Sequence, residues 1–132
     1  MLRFTRQNEI MKYFFAILLN VLPSAALAHA HLLTSSPAKD GLVRIAPKEV
    51  ILHLSEELET SMCKLEVKKL PNGEIVSQGD IQNDGEDKRT LKVALKPLPN
   101  EKSEYEVSWK AVSKDSHRMP GEYKFTFDPK VK

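Results

Sequence analysis

The chain has 132 residues, with 20 Lys and Arg against 18 Asp and Glu and a single cysteine. That length admits one folded domain with a real core, and a lone cysteine excludes an intramolecular disulfide. Removing residues 1–28 takes away Arg3, Arg6, Lys12 and Glu9, which leaves 17 basic and 17 acidic side chains; a neutral remainder carries no electrostatic footprint for nucleic acid or an anionic membrane.

Residues 1–28 read as a cleaved secretion signal. Met11-Lys12-Tyr13 opens a short basic region, the apolar run YFFAILLNVL follows, interrupted by Asn20, and small residues close the segment. A run of about ten apolar residues falls short of the roughly 20 that cross a bilayer and suits a leader. Residues 1–10 either lengthen the basic region, or Met11 is the start. Two A-x-A sites compete for cleavage: Ala26-Leu27-Ala28 leaves His29 first, and Ala28-His29-Ala30 leaves His31 first. The former is preferred because no bulky polar group precedes its cut. The expected mature unit is 29–132, a single secreted domain of 104 residues with no membrane insertion.

From there the apolar pattern has period two, the signature of half-buried strands. EVILHL puts Val50, Leu52 and Leu54 on one face, and CKLEVKK puts Cys63, Leu65 and Val67 inward. TLKVALK alternates Leu91, Val93 and Leu95 with lysines; EYEVSWKA turns Tyr105, Val107, Trp109 and Ala111 inward; EYKFTFD does the same with Tyr123, Phe125 and Phe127. No window of helical period carries convincing caps. Pro71-Asn72-Gly73 offers an Asn-Gly hairpin turn, residues 83–88 read as a polar loop, and the prolines of PLPNEK (97–102) exclude a central strand there. The fold class predicted is all-β: an antiparallel Greek-key sandwich or barrel, Ig-like or cupredoxin-like, of about seven strands. In an oxidising compartment an exposed thiol is a liability, so Cys63 is expected to be buried.

The residues that carry chemistry start at the new amino terminus. A free α-amine has a pKa of about 7.7–8.0, so a metal displaces its proton near neutrality. If that residue is His29, amine and imidazole close a chelate ring on one ion, and nitrogen-rich tetragonal surroundings favour Cu(II). With His29 first, His31 stands third, where amine, two backbone amide nitrogens and the imidazole wrap Cu(II) in a plane. The two modes compete for the same amine; alternatively, His31 only tethers the first strand. In SKDSHRMPG, Asp115 and His117 leave one face of an extended backbone about 7 Å apart at Cα. They converge on one ion, or Asp115 accepts a hydrogen bond from the His117 ring and orients it; by spacing alone the solvated-loop reading wins, because D-x-H is a weak motif. Glu56 and Glu57 read as an exposed strand end and His53 as a surface residue. Met62 and Met119 are isolated thioethers, poor material for a Cu(I) site. H-E-x-x-H, G-x-S-x-G, P-loop and dinucleotide signatures are missing from the sequence.

Taken together, HAHLLTSSPAKDG, APKEVILHLSEEL and YEVSWKAVSKDSHRMPGEYKFTF resemble the CopC family of periplasmic copper-binding proteins, over nearly all of 29–132 and least over 68–100. The resemblance implies a Greek-key sandwich that binds Cu(II) in the periplasm for copper resistance or homeostasis, as a carrier or a sequestering protein. The family's amino-terminal histidine falls on His29, its D-x-H pair on Asp115 and His117, and the acidic residue of its S-E motif, a weaker contributor, on Glu56. His31 stands where some relatives also have histidine. A CopD-type inner-membrane copper transporter is the implied partner, and a non-enzymatic monomer the implied state. The chain departs from relatives that carry a methionine-rich Cu(I) loop, since its middle section has no equivalent. Two rivals stay open: a secreted copper-dependent oxygenase with a histidine-brace site, and an Ig-like interaction module without metal.

Overall fold

The computed structural model describes residues 31–130; His29 and the expected leader lie outside them. Nine strands form among the described residues: β1 (Leu32–Ser36), β2 (Leu42–Val43), β3 (Glu49–Leu54), β4 (Lys64–Lys69), β5 (Glu74–Ile75), β6 (Ser77–Asp84), β7 (Asp87–Leu95), β8 (Ser103–Val112) and β9 (Arg118–Phe127). One 3-10 turn, Thr60–Met62, precedes β4. The strands make two sheets, ordered β1-β3-β7-β6 and β2-β9-β8-β4-β5. The chain crosses repeatedly between them, as in a Greek-key sandwich. Seven strands have five residues or more; β2 and β5 are two-residue edges. The pairing is antiparallel except where β2 lies parallel to the end of β9.

The alternation read from the sequence sets the core. Val50, Leu52 and Leu54 of β3 and Leu91, Val93 and Leu95 of β7 meet Leu65 and Val67 of β4, Tyr105, Val107 and Trp109 of β8, and Tyr123, Phe125 and Phe127 of β9. Cys63 is buried with them. Its sulfur accepts a hydrogen bond from the Val112 N–H at 3.3 Å, and burial pushes its thiol pKa up. Tyr105 stacks on Phe125 with ring centroids 5.3 Å apart. The Tyr123 hydroxyl crosses to donate to the Pro37 carbonyl at 2.7 Å, tying the end of β1 to the opposite sheet.

Two local readings differ from the sequence expectation. Residues 83–88 are not a loop: β6 and β7 run almost into one another through a tight turn at Gly85 (φ 55°). The polar composition there belongs to an edge strand, whose outward residues need no apolar partner. At Pro71-Asn72-Gly73 only Gly73 takes positive φ (74°); the Asn72 carboxamide oxygen instead accepts the Glu74 N–H at 3.3 Å, an Asx-type turn.

The longest ladder, β8–β9, runs unbroken from Ser103↔Phe127 to Val112↔Arg118 and aims the loop between its strands. Within it Trp109 lies opposite Gly121, its indole covering the glycine so closely that an added Cβ would stand 2.2 Å from Trp109 Cζ2. Gly121→Ala is therefore expected to destabilise the domain by about 1–3 kcal/mol, the usual cost of overpacking a rigid core. Denaturant unfolding followed by circular dichroism measures it, with Trp109→Phe/Gly121→Ala recovering part of the loss.

Candidate metal centre

β3 ends at Leu54, and the chain continues as Ser55-Glu56-Glu57 across the open end of the sandwich. This segment is stitched to the end of β8. Leu58 bridges to Ser113, the Glu59 N–H donates to the Val112 carbonyl at 2.8 Å, and the Lys114 N–H donates to the Glu57 carbonyl at 3.1 Å. Glu56 and the β8–β9 loop, far apart in sequence, are thereby neighbours. One ligand atom each from Glu56, Asp115 and His117 lie within 4.8 Å of one another.

The β8–β9 loop is built around Ser113, which continues the inward parity of Trp109 and Ala111 and is buried at 2% exposure. Its N–H donates to the His117 carbonyl at 2.9 Å, and its carbonyl accepts the Ser116 N–H at 3.0 Å. Ser116 closes the turn at φ 70°. The Ser113 hydroxyl donates to Asp115 Oδ1 and accepts the His117 N–H at 3.0 Å. The other Asp115 oxygen, Oδ2, stands 3.2 Å from His117 Nδ1, and both side chains are about two-thirds exposed, at 65% and 64%. The Ser113 hydroxyl, helped by the His117 charge, holds the Asp115 carboxyl below the usual carboxylate range.

Glu56 Oε2 is buried and has no hydrogen-bond partner among the described residues. A buried carboxylate oxygen without a donor is costly, and a cation held between it, Asp115 and His117 removes that cost. The donor set, two carboxylates and an imidazole, is oxygen and nitrogen. The sulfurs are engaged elsewhere: Met119 is in the core and Met62 is exposed on the 3-10 turn, while Cys63 is hydrogen-bonded to Val112.

Residues 32–128 match the CopC domain. The chain belongs to the CopC family. Protein YobA of Escherichia coli K12 is 32% identical over 120 residues, covering 88% of this chain and 93% of its own length. Copper resistance protein C of Pseudomonas syringae pv. tomato is 32% identical over 110 residues, covering 80% and 85%. Among solved structures, CopC from Methylosinus trichosporium OB3b superposes with a TM-score of 0.69 at 25% identity, over 79% of this chain and 98% of that one. Family membership makes this a copper-related protein with the CopC β-sandwich.

Of the residues singled out in the sequence, Glu56, Asp115 and His117 come together in one group. His31 stands at the start of β1 with its side chain exposed, outside that group; its N–H donates to Ser55 Oγ at 2.9 Å, and its carbonyl accepts the Ser55 N–H at 3.1 Å. His29 lies outside the described residues. His53 is half-buried rather than free on the surface, with Nδ1 3.2 Å from the hydroxyl of buried Thr90. Sequence reading met Ser113 only as part of the stretch that carries the family resemblance and gave it no role, although a serine on the inward parity of a strand end was a visible signal.

A depressed folded-state pKa at Asp115 means that its interaction with Ser113 stabilises the fold at neutral pH and is lost as pH falls through that depressed value. Titration of the side-chain carboxyl by carbon NMR is expected to place Asp115 below the usual carboxylate range. Ser113→Ala is expected to raise it toward that range.

Proposed function

We propose that the chain is a periplasmic Cu(II)-binding protein of copper resistance or homeostasis, a carrier or sequestering protein. In this reading, secretion removes residues 1–28 and frees His29 as the first residue of a single 29–132 domain. The observation that carries it is the Glu56, Asp115 and His117 group lying beside the anchored start of β1. Two residues of chain reach at most about 7 Å, so a residue at position 29 cannot stray farther than that from His31, which is fastened to the neighbour of Glu56. His29 then supplies amine and imidazole, His117 a third nitrogen, Asp115 an anionic oxygen or a ring-orienting contact, and Glu56 a weaker carboxylate. Such a nitrogen-rich set without thiolate favours Cu(II) over Cu(I).

The anchoring of His31 also bears on the competing mode. Wrapping copper in amide nitrogens requires the His31 amide to lose its proton, and that N–H is given to Ser55 Oγ. The His29 chelate leaves this bond intact and is the proposed mode. A role as polysaccharide oxygenase finds no support, because all five aromatic side chains among the described residues are buried. The described residues also contain no helix long and apolar enough to cross a membrane. Copper is accordingly proposed as cargo of a monomeric, non-enzymatic protein, with a CopD-type membrane transporter as the partner that receives it.

Two chains test the reading: residues 29–132 with a true amino-terminal His29, and a twin with one extra leading residue. Competitive titration with a chelator is expected to show at least a tenfold loss of Cu(II) affinity in the twin, with a changed electron paramagnetic resonance spectrum. Equal binding removes the amine from the site. In the true chain, affinity is expected to fall steeply from about pH 8 to about pH 5, because the amine and both imidazoles must lose protons to bind. Copper at 1,000 times its dissociation constant is expected to stabilise the fold by about 4.1 kcal/mol; no stabilisation leaves the metal-free module as the reading.

A further inference from the structure

We propose that Ser113 is the positioning residue of this centre: through Asp115 it fixes the His117 ring as the Nδ1–H tautomer and leaves Nε2 as the nitrogen offered to a metal. The inference rests on the copper reading for its purpose, but its geometry belongs to the protein without metal. Ser113 is a polar side chain placed where the alternation of β8 calls for an apolar one, and at 2% exposure it is out of water. Its hydroxyl both donates and accepts. A carboxylate only accepts, so the serine proton goes to Asp115 Oδ1, and the oxygen lone pair takes the His117 N–H at 3.0 Å. Backbone bonds from the same residue to His117 and Ser116 close the loop.

With Oδ1 held by serine, the carboxylate presents Oδ2 to His117 Nδ1 at 3.2 Å. The two atoms stand at ion-pair distance without the geometry of a formed hydrogen bond, and a carboxylate oxygen that close repels a ring lone pair, so the proton of the neutral ring favours Nδ1 and the lone pair Nε2. Carboxylates that hold metal-binding histidines in this way set both ring orientation and ligand basicity. Asp115 and His117 are too exposed to be held by packing; the buried residue of the loop is Ser113. The rigid sheet thus orients the exposed imidazole through one hydroxyl.

The test begins with the metal-free protein at about pH 8, where an ordinary histidine is neutral. Nitrogen NMR of the His117 ring is expected to show a single Nδ1–H tautomer in the wild type and a mixture in Ser113→Ala and in Asp115→Asn. Cu(II) affinity is expected to fall about 10–100-fold in Ser113→Ala, and to fall no further when Ser113→Ala is added to Asp115→Asn. An unchanged tautomer in either variant overturns the proposal, as does an equal affinity loss from Ser113→Ala with and without Asp115→Asn, which would mark Ser113 as merely structural. If Ser113→Ala does not fold, Asp115→Asn carries the tautomer test, since Asp115 is exposed and outside the core. A wild-type protein that shows the single tautomer yet binds no copper refutes the proposed function and leaves the Ser113 chain standing.

Discussion

Leu58 is tied to both sheets, and the candidate centre exists because of that tie. Its side chain is buried, its N–H donates to the Lys88 carbonyl at the start of β7, and its backbone bridges to Ser113 at the end of β8. The two faces of a sandwich are otherwise held by apolar contact, which resists separation but tolerates sliding. Directional hydrogen bonds at one end remove that freedom. Glu56 belongs to the sheet containing β3, Asp115 and His117 to the sheet containing β8 and β9, and their separation is set by the flanking bonds of Glu57, Glu59, Val112 and Lys114. A group of ligands split across two layers needs such a fastener, because a displacement of about 1 Å is enough to spoil a site.

The strands themselves were legible in the sequence wherever one face meets the core. β3, β4, β7, β8 and β9 all show apolar residues at every second position, and all have the predicted face buried. β6 was not legible for the complementary reason. SQGDIQND is an edge strand with irregular register against β7 and a glycine at positive φ, so little of it faces the core and alternation fades. The centre was legible only in part. Residue type and the D-x-H spacing pointed to Asp115 and His117, and family resemblance pointed to Glu56. Their meeting depends on pairing between segments more than 50 residues apart, which no local period encodes. Ser113 stood in the stretch that carries the family resemblance but was given no role, because serine in a polar stretch reads as loop, although it continues the inward parity just past the end of β8.

The same hydrogen-bonded frame bears on how a histidine at the mature start would be used. A chain end is ordinarily poorly ordered, and ordering it to bind a metal costs conformational entropy. Here most of that cost is met before any ion arrives, because β1 is paired with β3 and His31 is fastened by two bonds to Ser55. In the proposed reading only the two residues ahead of His31 become ordered on binding. On that reading leader cleavage would do two jobs, creating an amine of low pKa and joining it to an already fixed strand.

Exposure of the ligands completes the picture. Asp115 and His117 keep about two-thirds of their side-chain surface in water, and only Glu56 offers a buried oxygen. A fully enclosed site would strengthen every charge interaction, but opening it to pass the metal on would then require local unfolding of the sandwich end. An exposed imidazole oriented by a buried hydroxyl separates the two requirements: geometry is held from beneath by Ser113, and access is left open above. In the proposed reading a partner's ligands would approach the ion without breaking the Leu58 tie or the β8–β9 ladder, so transfer would proceed by ligand exchange at the surface while the fold stays intact. That combination suits cargo better than a resident cofactor, for which burial would serve retention.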